Sequence, residues 1–445
     1  MNASVEAFAL SKVAALATRA RAAARLLATL KAARRNEALL AAAAAIEEKS
    51  ALILSANDLD CQAAARAVER GEMSRAMFER LQTSERGIRQ MAAGIREVAA
   101  LDDPLGRELA VTLLDDGLTL YKLTCPLGVV GVIFESRPDV ISQVAALALK
   151  SGNALLLKGG AEAAHTHETL INIWHEALAG FADVPADALN LLHTREDVLE
   201  MLKRDDEIDL IIPRGSKEFV RYVAEQSRIP VLGHGEGICH VYVDRAADLQ
   251  RAQAIALDSK TQYPSACNSA ETLLVHEEVA AAFLSLMIEH FRRDGVEVRG
   301  CPRTLALSHD VVQATEEDWA TEYSDLIISI KIVGSCDEAI EHIHAYGSGH
   351  TESIVTEDRD AASLFMERID AAGVYHNAST RFADGFRYGF GAELGISTGK
   401  LHARGPVGLE GLTTYKYRLV GDGHIVASYS SGERSFKHRR IRAER

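Results

Sequence analysis

The chain has 445 residues, of which 47 % are hydrophobic and 25 % are charged, and its formal net charge is −14. This length predicts two or three domains, and the composition is that of a globular protein with a full hydrophobic core. The acidic balance argues against nucleic acid as a partner, because phosphate contacts need clustered lysine and arginine.

The sequence carries no signal for secretion or membrane insertion. The most apolar stretch of the first fifty residues, 38–46, is far shorter than the ~20 residues of a membrane span and predicts a buried helix stripe. None of the six cysteines stands at C-x-x-C spacing, so neither a zinc site nor a thioredoxin-like motif is indicated. Widely spaced cysteines predict free thiols in a reducing compartment. We therefore expect a cytoplasmic protein with no metal and no membrane partner.

Residues 1–100 are rich in Ala, Leu, Glu and Arg, contain no proline, and are predicted to be almost wholly helical. Apolar, β-branched runs then alternate with helical patterns. Two such runs are VVGVIF (129–134) and LIIP (210–213), and the segment 139–152 has helical periodicity. This rhythm predicts a parallel sheet with helices on its faces.

The segment 208–234 is predicted to be a β-α-β unit. Its first strand ends at Pro213, Arg214 and Gly215 form a short turn, and Ser216 can cap the following helix. We expect 229–232 to form the next strand. Backbone N–H groups at such a helix start attract an anion, commonly a nucleotide phosphate, although an ordinary turn that binds nothing has the same sequence pattern.

A second α/β block is predicted from residue 253 onward. It contains the strand ETLLVH (271–276), a helix over 277–294, the strand IISIKIV (327–333), a helix near 337–345 and the strand SIVTE (353–357). Two segments, 117–128 and 411–423, fit neither block and alternate apolar with polar residues around glycines. They are typical of hairpin or edge strands, which often extend another subunit's sheet.

Cys267 is the strongest candidate for a catalytic residue. It lies in a loop of small and polar residues, 265–269, directly before a predicted strand. A lone cysteine is usually a small buried hydrophobe, but a packing cysteine more often lies in an apolar run. The loop therefore favours a nucleophile.

Charged residues follow two predicted strands at the edge where parallel sheets bind ligands. Glu135 and Arg137 follow the strand 129–134, and Lys158 ends the run ALLLK (154–158). A ligand contact and a solvated strand end are both consistent with these positions.

Three other motifs carry weaker signals. The H-x-H pairs at 165/167 and 342/344 lack a nearby third ligand, so we interpret them as surface or core histidines. The run GFGAELG (389–395) misses the G-x-G-x-x-G spacing and predicts a tight loop that lines the site. The segment 434–445 carries six Lys or Arg residues and predicts a mobile, solvated basic tail.

Four long segments resemble the gamma-glutamyl phosphate reductases of the aldehyde dehydrogenase superfamily. They are PLGVVGVIFESRPDV (126–140), TQYPSACNSAETLLVH (261–276), GSGHTESIVTED (347–358) and GISTGKLHARGPVGLEGLTTYKY (395–417). The resemblance implies an aldehyde dehydrogenase-like α/β fold with two Rossmann-like parallel-sheet domains and a small β oligomerisation element.

The resemblance also implies how the chain is divided. We expect residues 1–110 and 129–255 to form an NADPH-binding domain and residues 256–410 to form the catalytic domain. Residues 111–128 and 411–433 are expected to form the oligomerisation element, followed by the basic tail 434–445. The edge strands make a homodimer or homotetramer the expected assembly.

Matched residue by residue, the resemblance implies that Cys267 is the nucleophile. Asn268, together with backbone N–H groups near Cys267, would hold the oxyanion. Arg137 stands where general aldehyde dehydrogenases carry an oxyanion-binding Asn, and a cation there suits an acyl phosphate. We assign Arg137 and Ser265 to substrate binding.

The same comparison implies a cofactor site. Lys158 matches a lysine that contacts the adenine-side ribose, and Gly215 and Ser216 match the turn that receives the pyrophosphate. Many NAD-using relatives place a ribose-binding Glu three residues after that lysine. Here the position is Ala161, whose lack of charge removes repulsion against a 2′-phosphate and favours NADPH.

The general-base Glu of hydrolytic relatives aligns, within a residue or two, with His234, and Glu236 lies close by. A reductase that holds a thioester must not activate water. The resemblance therefore implies NADPH-dependent reduction of L-glutamyl 5-phosphate to L-glutamate 5-semialdehyde and phosphate through a Cys267 thioester, the second step of proline biosynthesis.

Two alternatives stay open at this point. They are an aldehyde-oxidising, NAD-dependent enzyme of the same superfamily and a non-catalytic protein, such as an inactive scaffold or a nucleotide sensor. A functional coupling to glutamate 5-kinase, which would supply the labile acyl phosphate, is a further expectation.

Overall fold

Five helices open the described chain. The computed structural model describes residues 11–135, 137–233 and 235–441. The helices are α1 (Lys12–Leu27), α2 (Ala32–Glu48), α3 (Ser50–Glu69), α4 (Arg75–Leu81) and α5 (Glu85–Ala100). The side-chain oxygens of Ser11, Ser74 and Ser84 each accept a backbone N–H three residues on, which caps α1, α4 and α5. The predicted helical start is confirmed over residues 11–100.

A hairpin follows these helices. Its strands are β1 (Glu108–Asp115) and β2 (Leu118–Pro126), which pair antiparallel. Gly117, with φ of +74°, forms the turn between them, a conformation that favours glycine. The predicted edge segment 117–128 is therefore one strand of a hairpin whose other strand begins at residue 108.

The first parallel sheet has four strands in the order β5-β4-β3-β6. Its elements are β3 (Val129–Phe134), α6 (Asp139–Lys150), β4 (Ala154–Lys158), α7 (Ala164–Ala179), β5 (Leu189–Leu191), α8 (Arg195–Met201), β6 (Leu210–Arg214) and α9 (Lys217–Gln226). The predicted strand over 229–232 is reduced to a single bridge between Val231 and Ile211. Glu135, Lys158 and Arg214 all lie at the carboxyl edge of this sheet.

The second parallel sheet has seven strands in the order β10-β9-β11-β8-β7-β12-β13. Its elements are β7 (Cys239–Val243), α10 (Leu249–Thr261), β8 (Ala270–His276), α11 (Glu277–Arg293), β9 (Glu297–Gly300), α12 (Pro302–Leu305), β10 (Val312–Gln313), β11 (Ile327–Val333), α13 (Cys336–Tyr346), β12 (Thr351–Val355), α14 (Arg359–Arg368) and β13 (Gly373–His376). The predicted second α/β block is confirmed. The expected boundary between the NADPH-binding domain and the catalytic domain, at residues 255/256, is wrong. The strand β7 precedes it in the chain but pairs with β8 and β12 of the second sheet.

The last described elements return to the first half of the molecule. They are β14 (Ile396–Ser397), β15 (Gly405–Pro406), β16 (Thr413–Val420), α15 (Val426–Ser430) and β17 (Arg439–Ile441). Leu394, Val407 and Leu412 are fully buried in the same core cluster as the helices and strands of the first sheet. The segment 394–412 therefore packs as part of the first domain rather than the predicted catalytic domain.

A second four-stranded sheet is antiparallel, with the order β16-β2-β1-β17. It unites the two predicted edge segments, since β16 pairs with β2 along its whole length. The prediction of a mobile tail over 434–445 is wrong for residues 439–441, which pair with β1. Lys437 and Arg434 form ion pairs with Asp115, which explains why this end is held. No described helix is both long and apolar enough to cross a membrane.

Candidate active site

The carboxyl edge of the first sheet faces the amino edge of the second sheet across two adjoining cavities. The first cavity, of about 570 Å³, reaches the start of α9 at Gly215 and Ser216. The second cavity, of about 690 Å³, reaches Arg381 on the opposite side. Residues shared by both cavities are Arg80, Arg137, Arg214, Ser265, Cys267, Glu393 and Ile396. The predicted nucleophile therefore lies where the two cavities meet.

Cys267 lies in the turn directly before β8, as its sequence context predicts. Its Sγ lies 3.2 Å from Nε2 of His350. Burial first, and then the nearby carboxylates of Glu322 and Glu393, together raise the pKa of the Cys267 thiol to about 12, although Arg381 acts in the opposite direction. The resting thiol is therefore protonated near neutral pH and needs a base to become a nucleophile.

His350 is a site residue that the sequence analysis missed. It is fully buried at the entrance to β12, and its Nδ1 lies 2.8 Å from the hydroxyl of Thr351. When Nδ1–H donates to that hydroxyl, Nε2 is left to accept the proton of Cys267. The arrangement is that of a nucleophile, a base and a group that orients the base. The one sequence signal was the presence of His350 in the segment 347–358, which carries the family resemblance.

Backbone packing holds the loop of Cys267 in place. A side chain at Gly237 would overlap the carbonyl group of Cys267, so only glycine fits there without a backbone shift. The neighbouring Cys239 thiol donates to the same carbonyl oxygen at 3.4 Å. All six cysteines of the chain lie in the described part and are free thiols, as predicted.

The predicted oxyanion donors differ in how available they are. The Asn268 side chain is buried and donates an amide N–H to the carbonyl oxygen of Ala383 at 2.7 Å, which commits that donor to a structural bond. By contrast, the backbone N–H groups of Cys267 and Asn268 make no hydrogen bond to another described residue. The geometry favours this backbone pair as the anion-binding donors.

Arginines surround Cys267 from both sides of the cleft. Arg137 is about half exposed and pairs with Asp139 at 3.3 Å. Arg381 is buried and donates from Nε to the side-chain oxygen of Gln262 at 2.9 Å. Ser265 lies beside Cys267 in the wall of both cavities, so the predicted substrate residues Arg137 and Ser265 are brought together with the nucleophile.

The predicted pyrophosphate turn lies in the wall of the first cavity. Ser216 caps α9 by accepting the N–H of Phe219 at 3.3 Å. A side chain at Gly215 would come within 2.9 Å of Phe219, so the turn keeps its main chain open toward the cavity. Close backbone approach at the start of a helix suits a dinucleotide phosphate. The residues present thus fit a dinucleotide at this end of the cleft.

Lys158 is not among the residues that line either cavity. Its Nζ donates to the carbonyl oxygen of Gly159, and burial lowers its pKa. Ala161 is exposed on the turn that follows, but the carboxylate of Glu162 folds back over Gly160. The structure therefore places the carboxylate of Glu162, one position after the uncharged Ala161, near Lys158.

The remaining motifs have structural explanations. His167 packs edge-on against Phe134, and burial lowers its pKa to about 4. His342 is buried against Trp319. The described residues contain no cluster of three groups that could hold a metal ion. The run 389–395 forms the predicted tight loop, with glycines 389 and 391 at positive φ, and lines the cavities. The aligned position of His234 lies outside the described residues.

Comparison with known proteins agrees with this geometry. A sequence model of the aldehyde dehydrogenase family matches residues 2–297. A gamma-glutamyl phosphate reductase of Synechococcus sp. (strain JA-3-3Ab) is 54 % identical over 435 residues, which is 98 % of this chain and 96 % of the relative. The crystal structure of gamma-glutamyl phosphate reductase from Thermotoga maritima is 43 % identical, with a TM-score of 0.90 over 93 % of this chain and 99 % of that one.

More distant structures share the fold alone. A glyceraldehyde-3-phosphate dehydrogenase from Methanocaldococcus jannaschii, complexed with NADP, is 17 % identical with a TM-score of 0.63 over 92 % of this chain and 94 % of that one. The fold and the cysteine site thus define a member of the aldehyde dehydrogenase family, whose enzymes use nicotinamide cofactors. Within it, the chain belongs to the gamma-glutamyl phosphate reductases, as the sequence resemblance predicted.

The contact between His350 and Cys267 predicts how the thiol reacts. We expect His350→Ala to slow alkylation of Cys267 by iodoacetamide at pH 7 about tenfold or more, because the thiol loses its base. Mass spectrometry of the peptide that contains Cys267 measures this rate. His344→Ala, an exposed histidine on α13, is the matched control and should leave the rate unchanged. An unchanged rate in His350→Ala would show that this histidine is not the base.

Proposed function

We propose that the protein reduces L-glutamyl 5-phosphate to L-glutamate 5-semialdehyde and phosphate with NADPH, the second step of proline biosynthesis. The observation that carries the proposal is the Cys267 thiol 3.2 Å from the imidazole of His350, at the junction of a cavity that suits a dinucleotide and a cavity with buried arginine. The relationship to gamma-glutamyl phosphate reductases supports the choice of substrate.

The residues of the site account for the chemistry of this reaction. Cys267 attacks the acyl carbon while its proton passes to Nε2 of His350, so that a C–S bond forms as the C–O bond to phosphate breaks. The backbone N–H groups of Cys267 and Asn268 stabilise the oxyanion, and losing one such donor typically costs about 3 kcal/mol of barrier. Arg137 and Ser265 bind the acyl phosphate. When bound, NADPH would supply the hydride for the carbonyl carbon of the thioester. The C–S bond then breaks, Cys267 takes back a proton from His350, and the aldehyde is released.

The reverse reaction tests this function directly. With glutamate semialdehyde, NADP and inorganic phosphate, we expect NADPH to form beyond one equivalent per active site only when phosphate is present, because phosphate must release the acyl group from Cys267 before the next turnover. Absorbance of NADPH measures the rate, and Cys267→Ala should abolish it.

Cys336→Ala is the matched control, since this cysteine lies on α13 outside both cavities and should tolerate the change. Turnover without phosphate would instead identify a hydrolytic aldehyde dehydrogenase.

We propose NADPH rather than NADH because position 161 carries no charge. A carboxylate at this exposed position would repel the 2′-phosphate of NADPH. We expect Ala161→Glu to lower kcat/KM for NADPH about tenfold and to change kcat/KM for NADH less. Glu162→Gln is the companion variant, since it removes the carboxylate that already lies near Lys158. A wild-type enzyme that prefers NADH, or equal losses with both cofactors in Ala161→Glu, would contradict the proposal.

We also propose that the antiparallel sheet joins subunits through its edge strand β16. Of the described strands, only β2 pairs with β16, and Tyr415, Tyr417, Leu419 and Val420 are all about half exposed or more. An exposed apolar edge strand is a ready site for pairing with another chain.

Light scattering during gel filtration checks this assembly. We expect wild type to elute as a dimer or tetramer of the 48.2 kDa chain, and Tyr417→Asp with Leu419→Asp to shift it toward the monomer. Leu52→Asp, equally exposed on α3, should not change the mass. A monomeric wild type, or an unchanged mass in the double variant, would exclude this edge as the interface.

A further inference from the structure

Arg214 is a charged residue in the cleft that neither the sequence nor the mechanism above has assigned. It ends β6 and immediately precedes the pyrophosphate turn at Gly215. Its side chain lines both cavities, together with Arg137, Ser265 and Cys267. It therefore lies beside the reacting sulfur, between the two halves of the cleft.

The guanidinium group of Arg214 has no carboxylate within ion-pairing distance among the described residues, and Glu393 and Asp139 act on its charge only from farther away. Its buried Nη1 has no hydrogen-bond partner among these residues. By contrast, Arg137 pairs with Asp139, and Arg381 is hydrogen-bonded to Gln262. Because a buried guanidinium nitrogen without a hydrogen-bond partner is destabilising, an anion that enters the cleft is the natural partner of this half-buried arginine.

The order of the residues along the cleft indicates which anionic group of the substrate contacts Arg214. L-Glutamyl 5-phosphate carries a phosphate group, joined through oxygen, on its acyl carbon, and three carbons separate that acyl carbon from the α-carboxylate. Since the acyl carbon must reach Cys267, the phosphoryl group lies at the junction of the cavities, next to Arg214. The α-carboxylate extends away from the cofactor turn, toward Arg381 in the second cavity.

We propose that Arg214 binds the phosphate that leaves in the forward reaction and attacks in the reverse reaction. This inference rests on the function proposed above. In the forward direction the C–S bond forms, the C–O bond breaks, and phosphate leaves with that electron pair and takes up a proton from solvent. In reverse, a phosphate oxygen attacks the thioester carbon, and Cys267 leaves as the thiolate. The guanidinium offsets the charge of phosphate in both directions.

The two stages of the reverse reaction separate this role from a merely structural one. Glutamate semialdehyde and NADP form the thioester and one equivalent of NADPH without phosphate, whereas steady-state turnover requires phosphate. We expect Arg214→Gln to keep the burst of NADPH but to raise the KM for phosphate about tenfold to hundredfold. Arg214→Lys should recover part of that loss. Arg221→Gln, which removes an exposed arginine of α9, should leave both stages unchanged.

Each outcome decides the inference. An unchanged KM for phosphate in Arg214→Gln, or loss of the burst together with turnover, would overturn it. If wild type needs no phosphate, the proposed function itself fails, which is a distinguishable result.

Should Arg214→Gln fail to fold, protection of Cys267 from iodoacetamide by inorganic phosphate provides the second measurement. Wild type should be protected in a saturable manner, and Arg214→Lys should need several-fold more phosphate for the same protection. Equal protection in both proteins would overturn the inference.

Discussion

The backbone contact between Gly237 and Cys267 is the constraint on which the geometry of the site depends. Only glycine fits at 237, so the loop of the nucleophile lies directly on the chain that enters β7. The next residue, Ile238, donates its N–H to the hydroxyl of Ser348 at 2.9 Å, two positions before His350. One short segment therefore holds both the nucleophile and its base. Their separation is set by main-chain packing, which is stiffer than side-chain rotation.

The fold was predictable where its signals are local. The helical start and the β8–α11 unit follow from helix propensity, hydrophobic periodicity and a strand-to-helix transition. The place of β7 in the second sheet was not predictable, because a short, mostly apolar run does not reveal its pairing partners, and both of them come later in the chain. The strand β17 was missed for the opposite reason. Its three residues are exposed and two of them are arginines, and they are held by pairing with β1 and by the ion pairs that the preceding Arg434 and Lys437 make with Asp115.

The residues of the candidate site also fall into two groups, those with a local sequence signal and those without one. Cys267 and the turn at Gly215 and Ser216 have recognisable sequence surroundings, so they could be found without a structure. His350 is 83 positions from Cys267, and its role exists only because the two meet in space. Arg214 looked like a turn residue in the sequence, and its significance depends on a buried Nη1 that has no hydrogen-bond partner, which no local pattern encodes. The sequence therefore could not predict that the edges of the two sheets lie next to each other.

The arginines around the cleft belong to a protein of net charge −14. At long range this excess of negative charge repels an anionic metabolite and a nucleotide alike. At physiological ionic strength, however, the Debye length is about 8 Å, so mobile ions screen that repulsion across most of the solvent. Within the cleft, low-dielectric walls concentrate the field of the guanidinium groups. Anion binding thus becomes a short-range event at the cavity mouth, which small phosphate compounds can enter and bulky polyanions cannot.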